Sequence, residues 1–172
     1  MNTVYLDHNS TTPVDKNVLD AMLPFFTEKF GNASSRNHNY GMTSMEAVKE
    51  SRQQIASLIN AGKHEIIFTS GGTEADNWTI KSLFNSTKLD ENLVTSNIEH
   101  EAVLASAEWV SSLGHKVNYA KSNNEGLVEE DEFLDHVNEK TIVASLMWGN
   151  NETGVIQPIS QISKALKSAN ES

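Results

Sequence analysis

Three short stretches carry the residue types that could do chemistry. The first, Ile66-Ile67-Phe68-Thr69-Ser70-Gly71-Gly72-Thr73-Glu74, is an apolar run, then small residues, then the start of a helix-forming sequence. Glycines let the backbone approach a ligand closely. The first N–H groups of a helix lack internal partners and carry partial positive charge. A phosphate fits at such a helix start, with the hydroxyls of Ser70 and Thr73 as further donors. The same residues also read, more simply, as a tight strand-to-helix turn capped by Thr73. They match neither the dinucleotide fingerprint nor the Walker A pattern with its Gly-Lys pair.

The second stretch is Ser96-Asn97-Ile98-Glu99-His100-Glu101. In open α/β sheets ligands bind beyond the carboxyl ends of the strands. That places His100 either as a stacking ring or as an acid–base group near neutral pH; the plainer reading is a solvated histidine at a helix start. The third stretch, Met147-Trp148-Gly149-Asn150-Asn151-Glu152-Thr153-Gly154, sets two amides and a carboxylate behind an apolar run. An asparagine there can donate to a ring oxygen of a ligand, and a polar turn closed by Gly154 accounts for it as well.

Other chemistries find no support. His8, His38, His64, His115 and His136 are scattered, without an i, i+4 pair, and the chain has no cysteine, so no metal pattern emerges. There is no Gly-x-Ser-x-Gly elbow. Trp78 and Trp109 fall on expected helices among apolar residues and read as core. Glu129-Glu130-Asp131-Glu132 reads as a solvated helix start, which the helix dipole favours.

The elements that must position these groups alternate, apolar runs with helix-like segments. This pattern indicates an α/β domain with a mostly parallel sheet. Strands are expected at Glu65–Thr69, Leu93–Ser96, Val117–Ala120 and Thr141–Met147. Helices are expected at Thr73–Phe84, His100–Leu113, Glu129–Val137 and Ser160–Ser168. Upstream, Asp15 caps a helix whose face holds Val18, Leu19, Met22, Leu23 and Phe26, with Pro24 kinking or shortening it. A longer helix spans Gly41–Asn60, with Val48, Ile55 and Ile59 on one side, and closes at Ala61-Gly62.

Composition bounds the function. The 172 residues, 38% hydrophobic and 21% charged, suit one globular domain with a core. A formal net charge of −10 argues against a nucleic-acid footprint or an anionic membrane surface, while leaving room for one small anion at a helix start. No stretch approaches the roughly 18 apolar residues of a membrane span. The first residues lack the basic and apolar regions of a secretory signal, which makes the cytoplasm the expected compartment.

Five blocks, taken in order, resemble the cysteine desulfurase family in its NifS/IscS-type branch. They are Tyr5 to Asp15, Phe30 to His38, Phe68 to Asn77, Glu99-His100-Glu101-Ala102-Val103 and Asn150-Asn151-Glu152-Thr153-Gly154. Ala33 stands where the family usually has proline, a change expected to alter loop stiffness. The resemblance implies the large domain of the pyridoxal 5′-phosphate-dependent transferase fold type I, assembled as a homodimer with sites at the interface. It divides the chain into an N-terminal arm, helix and loop over 1–40 and the N-terminal part of the cofactor-binding domain over 41–172.

The resemblance also implies roles. Gly72 and Thr73 match the phosphate-binding pair. His100 matches the histidine that stacks on the pyridine ring and assists proton transfers. Asn151 matches the asparagine near the ring oxygen and the substrate. The implied reaction takes sulfur from L-cysteine, leaving L-alanine, for iron–sulfur cluster or thio-cofactor assembly with a scaffold or acceptor protein. The family's aspartate at the pyridine nitrogen, its cofactor-holding lysine, its sulfur-accepting cysteine and its substrate arginine find no match here. The expectation is therefore an incomplete sheet that stops before the lysine segment and is inactive alone, completed by a C-terminal chain. In such a sheet Glu65–Thr69 lacks a strand partner. A non-catalytic interaction module and a selenocysteine lyase or other class-V relative are the competing readings.

Overall fold

The computed structural model describes residues 3–85 and 88–170. The chain forms two compact units, with the boundary between Phe68 and Thr69. Among the described residues no helix is long and apolar enough to cross a membrane.

In the first unit, helix α1 spans Lys16–Met22, and Asp15 caps it by accepting from the Asn17 N–H at 2.8 Å. Pro24 ends that helix and opens the single turn α2, Pro24–Thr27, at a position where its missing N–H costs nothing. The expected apolar face exists in the sequence but buries nothing: Val18, Leu19, Met22, Leu23 and Phe26 are all exposed. Helix α3 runs Asn39–Leu58, with His38 Nδ1 accepting from the Gly41 N–H at 3.1 Å. Its end differs from expectation. Asn60 takes the left-handed conformation (φ 56°), and the Ala61 N–H reaches back to the Ala56 carbonyl at 2.9 Å. The helix thus stops on Asn60 in a Schellman arrangement rather than on Gly62. Val48, Ile55 and Ile59 are exposed too.

The strand expected at Glu65–Thr69 does not form. A 3₁₀ turn covers Lys63–Glu65, and the chain then runs on without a sheet partner among the described residues. Arg52 steadies this stretch, donating from Nε to the Ile66 carbonyl at 3.1 Å and lying 5.1 Å from the centre of the Phe68 ring. Propensity alone makes no strand, because a ladder needs a neighbour for its N–H and C=O groups.

The loop over 31–36 lies tight against the start of α3. A Cβ on Gly41 overlaps the Ser35 carbonyl oxygen, and one on Gly31 overlaps that of Tyr40. Gly41→Ala must therefore push the loop away, at an overpacking cost of about 1–3 kcal/mol. The expected outcome is faster tryptic cleavage at exposed Arg36; an unchanged cleavage rate contradicts the packing.

The second unit is a three-layer α/β/α arrangement. Strands β1 (Asn92–Ser96), β2 (Lys116–Ala120) and β3 (Thr141–Ala144) form a parallel sheet in the order β2-β1-β3. Register runs Leu93 to Val117 on one side and Leu93 to Val143 on the other. β3 is shorter than expected, since pairing ends at Val94 with Ala144, followed by one bond from the Ser145 N–H to the Val94 carbonyl.

Alternation along β1 sends successive residues to opposite faces. Leu93 packs with Ile80 and Phe84 of α4 (Gly72–Phe84) and Val103, Ala107 and Val110 of α5 (Glu101–Ser112). Val94 packs with Ala120, Val128, Phe133 of α6 (Glu130–Leu134) and Ile162 of α7 (Ile159–Asn170). Trp109 joins the first cluster as expected, whereas Trp78 is half exposed. α4 buries its Ile80–Phe84 stripe, and Trp78 lies about 200° around the helix from Ile80.

Candidate functional site

Two of the candidate loops lie past the ends of β1 and β3, and the third, the turn before α4, follows no strand. The turn before α4 is extended through Gly71 (φ 166°), and the first intrahelical bond is Ala75 N–H to the Gly71 carbonyl at 3.1 Å. The amides of Gly72, Thr73 and Glu74 precede that bond, which makes them the helix's orphan donors. A Cβ built on Gly71 or Gly72 meets nothing within 4 Å, so the outer face of the turn is open.

Ser70 is not available there as expected. Its N–H and its hydroxyl both donate to Glu74 Oε2, each at 2.6 Å, and the Ser70 hydroxyl first, then its amide, holds the Glu74 carboxyl below its usual range. Glu74 sits one turn along the helix and reaches back to its own N-terminus, where its charge is favoured. Thr73 is the second residue of α4 rather than its cap, a position taken by Gly71 without a side-chain bond.

His100 is the N-cap of α5. Its Nδ1 accepts from the Ala102 N–H at 3.1 Å. An accepting Nδ1 carries no proton, so the neutral ring holds its hydrogen on Nε2. The ring is exposed and lines a cleft of about 490 Å³ together with Glu99, Leu104, Asn150, Asn151 and Glu152. The structure thus brings His100 and Asn151 to one cleft, while Gly72 and Thr73 are not among its lining residues.

The two asparagines divide the labour. Asn150 builds the turn: its Oδ1 accepts from the amides of Glu152 and Thr153, both at 2.9 Å, and its Nδ2 donates to the Ile98 carbonyl at 3.0 Å. Asn151 follows it as an exposed residue of the turn.

Glu99 has no role in the sequence reading. It is only 8% exposed, and its Oε1 accepts from the Met147 N–H at 2.6 Å and from the Ser96 hydroxyl at 3.2 Å. Burial pushes its carboxyl above the ordinary range against these two hydrogen bonds; the Asp76 charge adds to the rise and His100 opposes it. Its neighbour Ile98 and its place directly after a strand are signals that a buried carboxylate shares with many solvated ones. The partner that decides the matter, Met147, lies 48 residues away.

This has a consequence for stability. The folded pKa of Glu99 lies above its ordinary value of 4.5, so its contribution is complete below about that pH and is lost as pH rises through the folded value. Glu99→Gln keeps the acceptor and removes the charge. It is expected to melt higher than the parent protein, by a margin that grows as pH rises from 4.5 through the folded value. An identical margin at both ends of that range contradicts the assignment.

The chain is similar to known proteins along nearly its whole length. The family profile Aminotransferase class-V matches residues 4–171. A mitosomal cysteine desulfurase of Trachipleistophora hominis is 42% identical over 170 residues, which cover 97% of this chain and 38% of that protein. Among solved structures, a NifS-like protein superposes with a TM-score of 0.90 at 36% identity, covering 98% of this chain and 46% of its own. SspA in complex with cysteine superposes with a TM-score of 0.92 at 32% identity, again over 98% of this chain and 48% of its own. The chain spans about two fifths of the length of the curated relative and less than half of either solved chain. The fold is that of the NifS-like enzymes, an α/β large domain with a short parallel sheet. By its profile match and by these relatives, the chain belongs to the class-V aminotransferase family.

Proposed function

We propose that this chain is the N-terminal portion of a pyridoxal 5′-phosphate-dependent cysteine desulfurase and contributes three parts of its site. These are the phosphate turn at Gly72 and Thr73, the ring-side histidine His100 and the ring-side asparagine Asn151. The observation that carries the reading is the placement of His100 and Asn151 in one cleft beyond β1 and β3, in a chain 42% identical to a cysteine desulfurase.

The residues present fit the cofactor's anionic end. The orphan amides of Gly72 and Thr73 and the Thr73 hydroxyl are donors, and the open face of Gly71-Gly72 leaves room for a phosphate. When bound, the cofactor supplies an electron sink beside the α-carbon of an amino acid. His100, held with its hydrogen on Nε2, presents a flat ring and one movable proton to the cleft. Asn151 presents an amide that donates to an oxygen.

L-cysteine is the proposed substrate. The remaining groups come from a C-terminal segment, in a homodimer or on a complementing chain, with an iron–sulfur scaffold or another sulfur acceptor as partner. The compartment proposed is cytoplasmic. The test is to assemble the chain with the C-terminal segment of a cysteine desulfurase relative, add pyridoxal phosphate and L-cysteine, and measure alanine and sulfide. Both are expected only in the assembled protein. Turnover of selenocysteine but not cysteine reassigns the substrate, and assembly without turnover of either leaves the interaction-module reading.

A further inference from the structure

We infer that Glu99 is a positioning residue of this site, its buried side chain locking the loop that carries His100 to the main chain that leads into Asn151. The inference rests on the functional reading above for its catalytic consequence, though not for its geometry.

Backbone pairing of β1 with β3 ends at Val94 and Ala144, with a last bond from the Ser145 N–H. The two loops that hold His100 and Asn151 begin beyond that point, where no ladder fixes their separation. Two hydrogen bonds carry the pairing onward. The Met147 N–H donates to Glu99 Oε1 at 2.6 Å, and Asn150 Nδ2 donates to the Ile98 carbonyl at 3.0 Å. Adjacent residues of one loop are thereby tied to residues three apart in the other.

Glu99 is the stronger of the two ties. It is buried, and its bond to Met147 is short. The Ser96 hydroxyl, donating to the same oxygen at 3.2 Å, fixes the side chain from the strand end. His100 follows Glu99 directly and is itself pinned by its cap bond to Ala102, so displacement of Glu99 moves the ring. On the other side, Asn150 orients the turn through its bonds to the Glu152 and Thr153 amides, and Met147 sets where that turn begins. The role asks for an acceptor at Oε1, not for a proton carrier.

The experiment compares Glu99→Ala and Glu99→Gln, with Val110→Ala as a control that removes buried methyl groups from the cluster around Leu93, which contains neither Ile98 nor Leu146. The first readout uses this chain alone. Amide exchange at Met147 should accelerate by about tenfold to a hundredfold in Glu99→Ala, the range expected for a buried donor left without its acceptor. The His100 ring signals and the amides of 150–153 should shift together. Glu99→Gln and Val110→Ala should leave both near the parent values. The second readout uses the chain assembled with the C-terminal segment and follows kcat and KM for L-cysteine. Glu99→Ala should lower kcat/KM by roughly tenfold or more, as misplacement of reacting groups does, and Glu99→Gln should restore most of it.

Unchanged His100 and 150–153 signals in Glu99→Ala overturn the inference. So does a Gln variant as impaired as the Ala variant, since that assigns the role to the charge. If the assembled parent protein shows no cysteine turnover while the exchange and shift changes appear, the functional reading fails and the positional claim stands.

Discussion

Phe84→Ala is expected to cost the protein about 3–5 kcal/mol, the usual range for emptying a buried aromatic site. Phe84 ends α4 at 2% exposure. It packs in the cluster of Ile80, Leu93, Val103, Ala107 and Val110, and it meets the ring of buried His115 edge-on at 5.0 Å between centroids. His115 is anchored in turn through Nδ1 to the Glu91 carbonyl at 3.1 Å, so the surroundings cannot collapse freely into the void. At about 2–4 °C per kcal/mol for a chain of this size, the melting temperature falls by roughly 6–20 °C. Phe26→Ala, at a residue 69% exposed in α2, is the contrasting control and should change little. Thermal unfolding followed by circular dichroism reads both. A loss under about 1 kcal/mol at Phe84 contradicts the placement of the core between the sheet and α4 and α5.

The second large effect concerns His100, which does two jobs that one substitution can separate. It caps α5 through Nδ1, and by the proposed function its ring works in the cleft. Alanine removes both, and the cap alone is worth about 0.5–2 kcal/mol. Asparagine is among the best N-cap residues, so His100→Asn keeps the helix start and removes only the imidazole. The expected result is a melting temperature close to that of the parent protein. In the chain assembled with a C-terminal segment, cysteine turnover should drop by about 10²–10⁴-fold, the usual value of a positioned acid–base group. Turnover within a few-fold of the parent reduces His100 to a cap.

What the sequence reveals and what it hides separate along a physical line. β1 and β2 are legible because Leu93-Val94 and Val117 sit in short apolar runs bounded by turn residues, and both strands find partners close by in the chain. Ile66-Ile67-Phe68 shows the same local pattern and forms no strand, because a ladder is a tertiary property and no strand pairs with it among the described residues. The apolar stripes of α1 and α3 are present as stripes, yet burial needs a covering surface, and Val18 and Ile55 remain exposed. At the site, the stretches that hold His100 and Asn151 stand out by their place after apolar runs, while the roles given to these two residues come from the family resemblance. Ser70 misleads because Glu74, one helical turn on, competes for its donors. Glu99 escapes notice, and Asn150 is not told apart from Asn151, because their work is done by contacts with Met147 and Ile98, distant in sequence.

The most direct test of the central claim, that the turn before α4 holds the cofactor's phosphate, is a paired binding titration. The chain assembled with a C-terminal segment is titrated with pyridoxal phosphate and, separately, with pyridoxal, for the parent protein and for Thr73→Val. The variant keeps the shape of Thr73 and removes its hydroxyl. The account predicts that Thr73→Val weakens pyridoxal phosphate by about tenfold or more, the value of a hydrogen bond to a charged group, and leaves pyridoxal unchanged. Equal affinities for pyridoxal phosphate in parent and variant, or equal losses for both ligands, contradict it.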